Sequence, residues 1–207
     1  HRDLHSFPTR RSSDLISVSC IKEIEPVITD PVVSRVSANG FFIVNEGNFG
    51  WGNGSLTYFS YDSLKVYSNI FKAVNSRPLG DVPFSMMVHN DNIYIVVNNS
   101  EKIEVIDRRS LESKKTIAGF ISPRQIAVTG EKKAYVTSIY SDSIRILDLS
   151  ENRISGYINI ENTSEAIVVH GQKAFIANWI GGRKVFVVDT GSDRKSTRLN
   201  SSHRIRS

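Results

Sequence analysis

The sequence predicts an all-β chain, a partial β-propeller of about four blades, each a four-stranded antiparallel sheet. Two observations carry this. First, a unit of two short apolar strands, a polar turn and a closing aspartate runs from Asn92 to Asp107 and recurs over Lys133–Asp148 and Lys173–Asp189. Second, its aspartates Asp107, Asp148 and Asp189 stand 41 residues apart, and a looser copy spans Phe42–Asp62 with a longer turn. A fixed period near 41, filled with strand patterns and no helical periodicity, marks small sheets repeated around an axis.

The ends follow a different pattern. His5–Leu15 and Asp193–His203 resemble the two arms of a sequencing-library adapter translated in one frame. Residues 1–15 and 192–207 are therefore read as adapter-derived and not native, and are expected to pair with nothing. They also distort the charge. The chain is +5 overall, yet residues 16–191 hold 18 basic and 18 acidic side chains and are neutral. The charge balance accordingly gives no footprint for nucleic acid or for an anionic membrane surface. One cysteine excludes a disulfide framework and a cysteine zinc site.

Residues 16–31 read as a leader remnant and tether. Ile16–Cys20 is a short run of apolar and small residues ending at a lone cysteine, with Glu23 and Glu25 just after it. This resembles the end of a bacterial lipoprotein signal, in which the cysteine is acylated, and Cys20 is the expected lipidation site. A departure is Ser17, where leucine is usual. The other reading of Cys20 is a free thiol buried in a frayed first strand.

From residue 32 to 191 the blades can be assigned strand by strand, lettered a to d outward from the axis. Val32–Val36 can form a first strand before the Asn39-Gly40 turn signal. Inner strands a are Ser85–His89, Gln125–Thr129 and Glu165–His170, with Val88, Val128 and Val169 in register. Strands b are Phe41–Asn45, Ile93–Asn98, Ala134–Thr137 and Ala174–Asn178. Strands c are Leu56–Tyr61, Ile103–Ile106, Ile144–Leu147 and Val185–Val188, and weaker d strands cover Lys65–Ser68, Lys115–Ala118 and Ile154–Ile158. Strand b is apolar on both faces, as a strand sandwiched between neighbouring blades must be. Glu104 and Arg145, at matching places in strand c, are expected to face outward. The closing aspartates are expected to accept backbone N–H bonds in an Asx-turn, a structural task.

At about 41 residues per blade the fourth blade reaches strand c at Asp189. The expectation is a fragment of a larger closed ring of about seven blades, with exposed blade faces lined by residues such as Ile95 and Val97.

Tyr135-Val-Thr137, the repeated Val/Ile-Asp turns and the period resemble the YVTN-repeat (YncE-like) propellers. Asn45-Glu-Gly-Asn-Phe-Gly50, Arg77-Pro-Leu-Gly-Asp81, Val97-Asn-Asn99 and Asn178-Trp179 resemble, more narrowly, surface lipoprotein propellers of Bacteroidetes. That group includes corrinoid (vitamin B12)-binding partners of an outer-membrane transporter. The resemblance spans about residues 40–190 and implies a lipid-anchored, outer-membrane, cell-surface binding protein.

In a propeller the b–c and d–a loops share one face. Here that face gathers Asn45, Glu46, Asn48, Phe49 and Trp51 from the first blade, with Asn99, Arg124, Tyr140, Asn178 and Trp179 from the others. These are the candidate ligand-binding residues. Large aromatics in solvated loops call for a partner, unless they fold back as plugs between blades; for Trp51 and Trp179 both readings stand. The opposite face carries short charged turns. His89 and His170 occupy equivalent positions there, but the third copy has Thr129, so no metal site is assigned.

No nucleophile–histidine pair, phosphate-binding glycine loop or carboxylate cluster is present, so no catalytic residue and no cofactor are assigned. The expected function is non-enzymatic capture of a small molecule, a corrinoid or a glycan, for an outer-membrane transporter. The alternatives are a protein–protein docking propeller and a lactonase- or quinoprotein-like enzyme.

Overall fold

A computed structural model describes residues 36–180 and 184–200. It contains one three-stranded and three four-stranded antiparallel sheets, each formed by strands consecutive in sequence. Blade one comprises β1 (Gly40–Asn45), β2 (Ser55–Ser60) and β3 (Lys65–Tyr67). A short helix α1 (Ile70–Asn75) follows. Blade two is β4 (Pro83–His89), β5 (Asn92–Val97), β6 (Lys102–Asp107) and β7 (Ser113–Ala118). Blade three is β8 (Pro123–Gly130), β9 (Lys133–Ser138), β10 (Ser143–Asp148) and β11 (Arg153–Asn159). Blade four is β12 (Ile167–His170), β13 (Lys173–Ala177), β14 (Lys184–Asp189) and β15 (Arg194–Asn200). The fold is the partial propeller that the repeat predicts. Cys20, the tether, the first adapter-like segment and Val32–Arg35 of the expected first strand lie outside the described residues.

Apolar residues on both faces of each b strand make the seams. Ile93, Ile95 and Val97 of β5 face blade one, packing with Leu56, Tyr58 and Phe71. Tyr94 and Val96 face blade three, packing with Ile126, Ala134 and Val136. Tyr135 of β9 then joins Ile167, Ile176 and Phe186 in the next seam. Ile95 and Val97 are therefore 0% exposed, against the expectation that they line an open blade face. They belong to a blade with neighbours on both sides. The half-exposed apolar face is instead that of β1, at Phe41 and Ile43.

The c–d turns repeat in detail. The Asp107 carboxylate accepts N–H bonds from Arg109 and Ser110, that of Asp148 from Ser150 and Glu151, and that of Asp189 from Gly191 and Ser192. Each c–d hairpin then carries a register shift, at Val105/Ile106, Ile146/Leu147 and Val187/Val188. In blade one the strand-closing position belongs to Ser60, whose hydroxyl accepts from the Ser63 N–H. Asp62 is recruited elsewhere, by the Ser37 hydroxyl and the Asn39 amide. The longer first repeat displaces the aspartate by two residues.

Two expectations are corrected here. The segment from Asp193 does not stand free: β15 pairs with β14 from Asp189↔Arg194 to Lys184↔Asn200. Asp193 accepts hydrogen bonds from Lys133 Nζ and Tyr135 Oη. An outer strand needs only backbone groups to complete a ladder, so β14 is covered despite the polar composition. Blade four therefore has its d strand.

The second correction is Glu104, which is 0% exposed. Lying on the same side of β6 as Ile106, it points at blade one, where Arg77 in the link after α1 closes over it. Its carboxylate receives Arg77 Nη2 at 2.6 Å and Lys102 Nζ at 3.0 Å, with Ser113 and Thr116 hydroxyls beside them. Burial pushes this carboxyl up, but the bonds from Arg77, Ser113 and Lys102 outweigh it and hold it below its ordinary range. Arg145 behaves differently, lying partly buried with its guanidinium 6.0 Å from the Tyr157 ring.

Candidate functional site

The b–c loops and d–a links interlock on one face. The Gly54 N–H donates to Gly80 O, Ile139 N–H to Ser122 O, and Ser164 N–H to Ser138 O. Asn98 Nδ2 reaches Pro123 O at 2.9 Å, sealing blade two to blade three at the same level.

The blade-one loop 46–54 is the most built part of this face. Gly50 and Gly52 take φ of 80° and 62°, a region that glycine enters without steric cost. Their N–H groups turn inward onto the Asp81 carboxylate at 2.8 and 3.3 Å. Asn99 Nδ2 donates to the same carboxylate, and the Asp81 N–H donates to Ser100 Oγ. The Asn99 amide, with the Gly50 and Gly52 N–H groups, keeps the Asp81 carboxyl below the ordinary range in spite of its partial burial. One side chain thus ties loop 46–54 to blade two. The loop's own ends are closed by Asn48 N–H to Asn53 Oδ1 and Trp51 N–H to Asn48 O. The result is a rigid loop that holds Phe49 and Trp51 outward, each 74% exposed. Trp51 is therefore no plug between blades.

The other aromatics stand on the same face. Tyr140 is 63% exposed and Trp179 48%. Three of the candidate amides are engaged within the fold. Asn45 donates to Ser55 and Thr57 hydroxyls. Asn99 serves Asp81. Asn178 accepts from the Lys184 N–H and donates to Ile180 O, closing the blade-four loop. Glu46 and the side chain of Asn48 are exposed.

Near the axis, β4, β8, the link before β12 and the loop after β13 bring different groups together. Arg124 of β8 lays its guanidinium 3.5 Å from the Phe84 ring of β4 and 5.9 Å from Trp179. Its Nη2 pairs with Glu165 Oε1 at 2.9 Å. Glu165 lies 41 residues beyond Arg124, the same repeat position one blade on, and that spacing was the available signal for it. Arg124 Nε is buried and meets no hydrogen-bond partner, alone among the buried side-chain nitrogens and oxygens of the described residues. Sequence reasoning missed Asp81 and Glu165, because neither is aromatic nor sits in a b–c loop.

Comparison with known proteins places this geometry in a family. Over residues 39–206 the chain matches the family described as "Domain of unknown function (DUF5074)". The chain belongs to that family. No curated protein matches it. Among solved structures it is similar to a quinonprotein alcohol dehydrogenase-like protein from Bacteroides thetaiotaomicron, at 13% identity and TM-score 0.59, over 81% of this chain and 42% of that one. It also resembles the Neurospora crassa Pan2 WD40 domain, at 11% identity and TM-score 0.62, over 85% of this chain and 53% of that one. Kuenenia stuttgartiensis hydrazine synthase matches at 22% identity and TM-score 0.53, over 58% and 36%. The chain spans about half or less of the structures it matches, and at these identities the likeness is one of propeller fold.

Proposed function

We propose that this DUF5074 chain is a non-enzymatic ligand-binding propeller whose site is the face formed by the b–c loops and d–a links. The observation that carries the reading is the Asp81-pinned glycine loop, which holds Phe49 and Trp51 in solvent. An aromatic side chain covers roughly 150–250 Å², worth on the order of 4–6 kcal/mol if removed from water at about 25 cal/mol/Å². A loop stiffened to keep two such groups exposed has already met the ordering cost that binding otherwise imposes. A non-catalytic reading is supported by how the charges of this face are used: Arg124 and Glu165 pair with each other, and Asp81 serves the loop.

The ligand is a small molecule with flat or apolar faces and hydrogen-bonding edges, the description that fits a corrinoid or a glycan. Family resemblance supports delivery to an outer-membrane transporter from a cell-surface position, tethered through acylated Cys20. Titration of corrinoids and oligosaccharides against intrinsic tryptophan fluorescence tests the site. Binding is expected to quench the emission, and Trp51→Ala or Trp179→Ala is expected to weaken it by about 1–3 kcal/mol. Unchanged affinity in both variants would remove the rim from consideration. Palmitate labelling of the precursor, abolished by Cys20→Ser, tests the anchor separately.

A further inference from the structure

We propose that the axial end of this face reads a neutral sugar, with Trp179 as the stacking platform and the Arg124–Glu165 pair engaging two adjacent hydroxyl groups. The inference rests on the ligand-binding reading above and narrows it to one chemical class. Arg124 is fixed before any ligand arrives: its guanidinium stacks on Phe84 at 3.5 Å and is bonded to Glu165 at 2.9 Å. That pairing makes the spot neutral in sum while leaving donors and acceptors side by side. The guanidinium has five N–H donors; Glu165 takes one at Nη2 and the one on Nε is buried without a partner, which leaves three on the Nη atoms. A carboxylate has about four lone-pair sites, and Arg124 occupies one on Glu165.

A hydroxyl group both donates and accepts. Two neighbouring hydroxyls of a sugar ring can take N–H bonds from Arg124 and give O–H bonds to Glu165 without disturbing the ion pair. Other chemistries fit worse. An anionic ligand drawn to Arg124 would meet the Glu165 carboxylate at once. An apolar ligand would cover the pair and leave its remaining donors and acceptors unmatched, at a desolvation cost. Trp179 stands half-exposed at 5.9 Å from the guanidinium, where a sugar's C–H face can lie against its ring while the ring edge meets the pair.

The test uses the full chain. Maltohexaose, cellohexaose, xylohexaose and mannohexaose are titrated by calorimetry and tryptophan fluorescence, beside hexagalacturonate and cyanocobalamin. At least one neutral hexaose should bind, and periodate cleavage of its adjacent diols should abolish binding. Arg124→Lys and Glu165→Gln should each lower its affinity tenfold or more, with melting curves confirming that both variants fold. Arg124→Lys keeps the charge, so a loss there reports geometry. If no neutral hexaose binds, or if hexagalacturonate binds through Arg124 instead, the proposal is overturned. Cyanocobalamin binding that depends on Trp51 but not on Glu165 would overturn it while leaving the ligand-binding rim intact. Silence of every probe at both tryptophans would remove the sugar site and the rim together.

Discussion

The seam between blades one and two and the loop face above it use the same residue types to opposite ends. In the seam, Phe71 and Tyr58 are buried and Glu104 is closed over by Arg77 and Lys102. On the loop face, Phe49 and Trp51 are held in solvent by a backbone tied to Asp81. What separates the two regions is where the polar groups point. In the seam, side-chain polar atoms converge on a buried charge and satisfy it, and the apolar groups pack around them. On the face, one carboxylate collects backbone N–H groups and so turns the side chains of that backbone outward. Residue type alone does not reveal binding capacity; the direction of the pinning bonds does.

The largest expected effect lies in the seam. Phe71 anchors α1, is 0% exposed, and has the Arg77 guanidinium 4.9 Å from its ring. Phe71→Ala should cost about 3–5 kcal/mol in urea unfolding, because it opens a cavity and loosens the cation that covers Glu104. A loss under about 1 kcal/mol would mean that α1 is a surface ornament and not part of the seam.

Next is Glu104 itself. Breaking a buried ion pair typically costs 3–5 kcal/mol; Arg77 is partly exposed and can rehydrate, so Glu104→Gln should cost about 3 kcal/mol at neutral pH. The folded carboxyl sits below its ordinary value of 4.5. Its contribution is thus complete above that value and is lost as pH falls through the lower folded one, because the unfolded chain takes up the proton first. Below pH 4.5 the wild type should lose stability with a steeper slope than Glu104→Gln. Parallel slopes would indicate that the carboxylate gains nothing from its partners.

A smaller effect is expected where one blade reaches the next through a single hydroxyl. Tyr94 Oη donates to Asn152 Oδ1 at 2.7 Å, in the c–d turn of blade three. Tyr135 donates in the same way to Asp193 in blade four. Asn152 and Asp193 both take positive φ, as does Leu111 one repeat earlier. Leu111 is fully buried in the seam against which Phe42 packs. One seam therefore uses an apolar contact where the next two use a hydrogen bond. Tyr94→Phe should cost about 1 kcal/mol, recovered in part by Asn152→Leu, which would copy the apolar version. A double-mutant cycle without coupling would show that the contact is incidental.

Much of this was legible in the chain. The period of 41 gave the blades, and the apolar b strands gave the sandwiching. The closing aspartates gave the turns, because each of these signals is local or repeated. Helix α1 was not legible, since Ile70, Phe71 and Val74 make too short a pattern to stand out inside a link. Glu104 was misread because alternation along β6 cannot reveal that Arg77, 27 residues away in sequence, will cover it. The pairing of β15 was missed because an outer strand is recruited by the open edge of β14 and not by its own pattern. Among the candidate site residues, the aromatics and Arg124 were visible as oddities in polar loops. Of the partners that orient them, Glu165 had a signal in its 41-residue spacing from Arg124, whereas Asp81 became visible only through contacts between blades.

The smallest expected effect on stability is at Trp51, and it decides the comparison. At 74% exposure the indole contributes little to the folded core, so Trp51→Ala should change stability by no more than about 0.5 kcal/mol. Asp81→Ala differs in kind. It leaves the indole in place but frees the N–H groups of Gly50 and Gly52 to water, so the loop regains the conformational freedom that two glycines allow. Stability should again change little, because these bonds are near the surface, yet affinity should fall as the ordering cost moves to the binding step. The pair of variants then separates contact from preorganisation. If Trp51→Ala weakens binding and Asp81→Ala does not, the ligand orders the loop for itself and the pinning is irrelevant. If both weaken it while melting temperatures hold, the loop is built for its ligand. If Trp51→Ala instead lowers stability by several kcal/mol, the indole belongs to the seam and the two regions are one.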